Sequence, residues 1–120
     1  MMRFRERLDA LADWGDPTFV RTFALAWYIL HAQYECDDEY ALQLLDDHRA
    51  YMMSDPDYEP WWLTHSGPSD PALVAYGRGH LRLQGKEFVE WERSQREDEF
   101  KPAVQEYLSR HRKSEHDDED

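Results

Sequence analysis

The sequence predicts an all-α fold: a single small domain of five or six helices, packed as irregular helical hairpins around a central apolar helix at about residues 17–35. Three observations carry this reading. Apolar residues recur at three- and four-residue spacing along the chain, and no stretch sustains the alternation of a strand. Asp-Pro pairs at Asp16-Pro17 and Asp70-Pro71 supply a capping carboxylate followed by a residue already fixed at helical φ. The 120 residues hold five Trp, seven Tyr and five Phe, enough apolar surface for one core and hardly for two.

Phe4, Leu8 and Leu11 mark a first amphipathic helix that should stop at Trp14-Gly15. Asp16-Pro17 then opens the central helix, in which Phe19, Val20 and the run Phe23 to Leu30 leave only Thr18, Arg21 and Thr22 as a polar strip. A third helix should begin at Asp37 or Asp38, where carboxylates suit the positive end of the helix dipole. Its inner stripe is Ala41, Leu44, Leu45, His48 and Met52, which turns Glu39, Gln43, Asp46, Asp47 and Ala50 outward. Three prolines and a glycine make 54–69 a long, mostly irregular connection. Leu73, Gly77, His80 or Leu81, and Gln84 mark a fourth helix from Ser69 or Asp70 to near Gly85, and Gly77 and Gly79 within it imply the close approach of another helix backbone. Phe88, Val89, Trp91 and Gln95 give a fifth helix, and Val104, Tyr107, Leu108 and His111 a sixth after Pro102. The domain should span 1–113, with 114–120 a disordered acidic tail.

Charge is placed unevenly. The net charge is −12, yet 1–34 is balanced, and the excess sits in Glu35 to Glu59 and in the last seven residues. The middle block holds Glu35, Asp37, Asp38, Glu39, Asp46, Asp47, Asp55, Asp57 and Glu59 against Arg49 alone. A focused acid excess attracts cationic surfaces and speeds their encounter. Tyr58, Trp61 and Trp62 lie among these carboxylates, where rings can stack on arginine while the acids pair its guanidinium. Trp61 and Trp62 are equally suited to pinning the long loop to its own core.

Several classes are disfavoured. No His pair stands at three- or four-residue spacing, no Cys-x-x-Cys or His-Glu-x-x-His occurs, and Asp55 and Asp57 lack the glycine and distal glutamate of a calcium loop, so no metal or cofactor is expected. Cys36 lies among Glu35, Asp37, Asp38 and Glu39, a surround that raises a thiol pKa and makes a poor nucleophile, and no other catalytic signature is present. Gly77-Arg78-Gly79 follows no strand and is not a phosphate cradle. Arg78, Arg82, Lys86, Arg93 and Arg96 interleave with Glu87, Glu90 and Glu92, which points to bridges on solvated helix faces rather than a nucleic-acid groove. The longest apolar run, Phe23 to Leu30, is too short to cross a membrane. A single cysteine and an N-terminus without an apolar signal core agree with a cytoplasmic location.

The expectation is therefore a non-enzymatic acidic module that docks on a basic, nucleic-acid-binding site of a partner protein, possessing no direct affinity for nucleic acid or membrane. Such a module would act as a phage-type inhibitor mimicking nucleic acid, in the manner of anti-CRISPR proteins, or as an immunity protein for a basic nuclease. The rival is a structural helical subunit or adaptor that binds through an aromatic and apolar groove. Partner-binding residues are expected at Glu35, Asp37, Asp38, Glu39, Asp46, Asp47, Asp55, Asp57, Tyr58, Glu59, Trp61 and Trp62.

Overall fold

The computed structural model describes residues 2–63, 65 and 67–112, and every regular element among them is helical. In chain order these are α1 (Phe4–Ala10), α2 (Pro17–Ala32), α3 (Asp38–Met53), a 3-10 turn at Pro60–Leu63, α4 (Ser69–Val74), a π-helical segment at Ala75–His80, α5 (Gly85–Glu97) and α6 (Pro102–Arg112). The acidic tail expected at 114–120 lies outside the described residues.

Local chemistry sets the boundaries. Asp16 accepts the Phe19 N–H at 2.9 Å and Pro17 fills the first helical position, so α2 starts where its Asp-Pro pair places it. Asp37 caps α3 in the same way, accepting the Tyr40 N–H at 2.8 Å. Between the two, the chain reverses through Glu35 at φ +58°, with the Cys36 N–H reaching back to the Leu30 carbonyl at 3.1 Å. This is the closing geometry usually given to glycine, here occupied by a residue with a Cβ.

Helix α2 forms the core. Residues 22–30 are buried without exception, joined by Phe19 and Val20, and α1, α3, α4 and α6 all pack on this helix. Stacked rings fill the seams: Tyr28 on Tyr107 at 3.6 Å between centroids, Phe19 on Phe23 at 4.6 Å and Phe4 on His111 at 4.3 Å. Arg7 is fully buried beneath them, its guanidinium 4.8 Å from the Trp27 ring and its Nη2 donating to Asp38 Oδ1 at 3.0 Å. That pair ties α1 to the start of α3.

The fourth helix departs from its expected form. It begins at Ser69, so Pro71 is its third residue, and Asp70 bridges Arg96 of α5 instead of capping. After Val74 it widens into the π segment and ends at His80. Gly85 is not a stop but the first residue of α5, at φ +55°. Side chains, not another backbone, explain the glycines: a Cβ on Gly77 would stand 2.5 Å from Trp91 Cζ3, and one on Gly79 would stand 2.8 Å from Leu44 Cδ2. The π segment is thus wedged between α3 and α5. Tyr40 Oη and His80 Nδ1, hydrogen-bonded at 2.6 Å, close its far end onto α3.

Candidate functional site

Successive residues of α3 advance about 100° around its axis. With Ala41, Leu44 and Leu45 buried on α2 and α4, the arc carrying Glu39, Gln43, Asp46, Asp47 and Ala50 must face outward. The nine carboxylates of the acidic block divide into two groups. Glu35, Asp37, Glu39, Asp47, Asp55, Asp57 and Glu59 are exposed, and among the described residues none of them is bridged by a base. Asp38 and Asp46 are half-buried and neutralised from within. Asp38 holds Arg7 and lies 3.6 Å from His31 Nδ1. Asp46 accepts from Arg49 at 2.8 Å while that guanidinium covers the Trp14 ring at 4.2 Å.

Among the exposed seven, some also order their local structure. Asp37 caps α3, Asp55 accepts the Asp57 N–H at 2.8 Å, and Glu59 accepts from the Trp61 indole N–H. Among the described residues Glu39 and Asp57 offer side chains to solvent with no such duty, and Asp47 accepts only from Gln43, its neighbour one turn back.

Large apolar side chains gather beside these acids. Of the six exposed ones among the described residues, Tyr40, Tyr51, Met53 and Trp61 lie on α3 or just after it, with Tyr51 at 62% and Trp61 at 54% exposure. Tyr40, Tyr51 and Met53 were missed by a reading of the sequence that sought the inner stripe; their phase along α3, off that stripe, is the signal that marks them. The Trp pair is split. Leu63, not a tryptophan, is the buried pin of the loop; Trp61 faces solvent, and half-buried Trp62 packs edge-on to Tyr58 and Trp61.

Trp62 also lines a half-open groove of about 800 Å³ between α3, the 3-10 turn, α4, the π segment and the start of α5. Its apolar wall includes Leu44, Met52, Val74 and Phe88, and its polar groups include Asp47, His48, Asp70, Arg78, Arg82 and Glu92. His48 is half-buried there, and its pKa is lowered to about 4, first by burial and then by the Arg78 charge, with Asp70 opposing. The imidazole is neutral at pH 7.

The remaining chemistry-bearing groups are separate. Cys36 is buried and its thiol pKa is raised, chiefly by burial and secondarily by Asp37, so the direction foreseen from the acidic surround holds but its main cause differs. Among the described residues no three His, Cys, Asp or Glu side chains gather as a metal-binding group, and no helix is long and apolar enough to cross a membrane. Comparison with protein-family models, curated proteins and solved structures finds no match to this chain.

Proposed function

We propose that the chain is a non-enzymatic protein-binding module of the cytoplasm, which docks the outer face of α3 and the loop 54–61 onto a basic, nucleic-acid-binding surface of a partner protein. The observation that carries this reading is the coincidence of seven exposed carboxylates, free of bridging bases among the described residues, with the exposed rings of Tyr40, Tyr51 and Trp61 on the same segment. Unbridged like charges along one segment of chain, Glu39 and Asp47 on α3 with Asp55, Asp57 and Glu59 in the loop after it, repel one another, and a cationic partner relieves that repulsion. Aromatic rings beside the acids add the stacking surface on which guanidinium groups settle. Long-range attraction would set the encounter rate, and the rings would hold the complex once water is excluded.

The test is capture from a lysate of the native host, using wild type and an E39K/D47K/D57K variant as bait, with elution by duplex DNA. These three positions are chosen because the fold asks least of them. The reading expects a nucleic-acid-binding protein that wild type retains, that DNA displaces, and that the variant fails to retain. Equal retention by both baits, or a partner that DNA does not displace, refutes it.

A further inference from the structure

The groove beside the acidic face holds a charge arrangement that the docking reading does not use. Among the described residues Asp47, shared with the acidic face, keeps its charge and accepts a neutral hydrogen bond from Gln43 at 2.8 Å, whereas Asp70 and Glu92 are both bridged by Arg96. The groove's two lining arginines are not bridged. Arg78 and Arg82 take part in no ion pair among the described residues, in a chain where 26 Asp and Glu face 14 Lys and Arg. In a chain so acidic this groove is locally balanced, with Asp47, Asp70 and Glu92 against Arg78, Arg82 and the bridging Arg96, and the two unbridged arginines are the cations it offers a ligand.

Their placement is also fixed by packing. Arg78 belongs to the π segment, whose Gly77 fits under Trp91 and Phe88 and whose Gly79 fits against Leu44. The Arg78 guanidinium lies 4.7 Å from the Phe88 ring centroid, at the apolar wall. Arg82 closes the segment at φ +58°, as Glu35 closes α2, with the Leu83 N–H reaching back to the Gly77 carbonyl at 3.0 Å. π-helical turns are themselves concentrated at functional sites. His48, neutral and half-buried, adds a hydrogen-bonding group without adding charge. The volume of about 800 Å³ falls within the range of small-molecule sites, which pair an apolar wall with a few polar groups.

We propose that this groove binds a small organic anion with an apolar body. The anionic head pairs with Arg78 and Arg82, and the body lies on Leu44, Met52, Val74 and Phe88. An alkyl carboxylate and an aromatic sulfonate share this chemistry, and they are the two arms of the test. Dodecanoate and 8-anilinonaphthalene-1-sulfonate are titrated into the full chain by calorimetry and fluorescence, with dodecanol and dodecylammonium as neutral and cationic counterparts. Amide chemical shifts in the wild type locate the site without any mutation.

The proposal expects saturable one-to-one binding of at least one anion, shifts centred on Val74, Gly79 and Leu83, and at least tenfold weaker binding of the matched neutral and cationic molecules. It further expects R78Q/R82Q to weaken the anion at least tenfold with an unchanged circular dichroism spectrum, and V74W to block it. The arm that binds more tightly identifies the body as alkyl or aromatic. Absence of saturable binding, shifts elsewhere, equal affinity for the three heads, or unchanged affinity in R78Q/R82Q each overturns it. So does displacement of the anion by an amphipathic helical peptide that binds the groove more tightly, which would make the groove a protein-docking site. Failure here leaves the acidic-face reading intact, since R78Q/R82Q touches none of its carboxylates.

Discussion

Removing the Asp38 charge should destabilise the protein far more than removing its partner, Arg7. The two are joined by a single hydrogen bond of 3.0 Å, but their surroundings differ: the Arg7 side chain is fully buried, while that of Asp38 is 26% exposed. In Asp38→Asn the guanidinium stays buried, its Nε and Nη1 already without hydrogen-bond partners among the described residues. Breaking a buried pair from one side costs about 3–5 kcal/mol. The Trp27 ring at 4.8 Å returns about 1 kcal/mol of that by cation–π attraction, which leaves about 3 kcal/mol. In Arg7→Met an unbranched apolar chain fills the same space, and Asp38 keeps solvent and His31, so the loss should be within about 1 kcal/mol. The double variant should match Arg7→Met alone.

Urea unfolding followed by circular dichroism measures this directly. With an m-value of about 1.5 kcal/mol/M, Asp38→Asn should lower the midpoint by about 2 M and Arg7→Met by less than about 0.7 M. Equal losses in the two single variants, or Asp38→Asn within 0.5 kcal/mol of wild type by the stated scale, would refute the assignment of Asp38 as the counter-charge of a buried cation. The result matters for function, because a binding defect in an Asp38 variant would then report the fold and not the interface.

Three further outcomes follow from particular contacts. Glu35→Gly should stabilise by about 1 kcal/mol, read as a raised melting temperature, because glycine adopts φ +58° without the Cβ clash. Gly77→Ala should cost about 1–2 kcal/mol despite the higher helix propensity of alanine, since its Cβ would stand 2.5 Å from Trp91 Cζ3; a gain in stability would show that Trp91 and Phe88 move aside freely. His48→Gln should flatten the acid side of the stability profile. Between pH 6.5 and about 4 the unfolded chain protonates His48 while the folded chain does not, so stability falls as pH falls across that window and the contribution stops changing below it. Because the ring borders an open groove the expected difference between wild type and variant is about 2 kcal/mol, and parallel profiles would contradict it.

Much of this was legible in the sequence where short-range chemistry decides. Asp16-Pro17 and Asp37 start their helices because a cap needs only its own next turn, and the unbroken apolar run of α2 has nowhere to go but the core. The outward phase of Glu39, Gln43 and Asp47 followed from the same periodicity, while Asp46 on that arc is half-buried against Arg49. What depended on distant partners was not legible. Arg7 and Asp38 are 31 residues apart, and nothing near either announces the other. The π segment is not legible because Gly77 and Gly79 read as room for the backbone of another helix, whereas they admit the Trp91, Phe88 and Leu44 side chains. Lys86 with Glu90 and Arg96 with Glu92 form the helical bridges foreseen, whereas among the described residues Arg93 forms none, and Arg78 and Arg82, with no acid three or four residues away, form none either. That local lack of acid was the available sign of the groove, whose walls come from five separate segments and assemble only on folding.

The central claim is that uncompensated carboxylates on α3 and its following loop make the interface, and the most direct measurement is the dissociation constant of the captured partner as a function of salt, for wild type and E39K/D47K/D57K. Reversing three exposed charges at about 1 kcal/mol each should weaken binding about 100-fold and flatten the salt dependence. An unchanged constant with the same salt slope would place the interface elsewhere on the molecule.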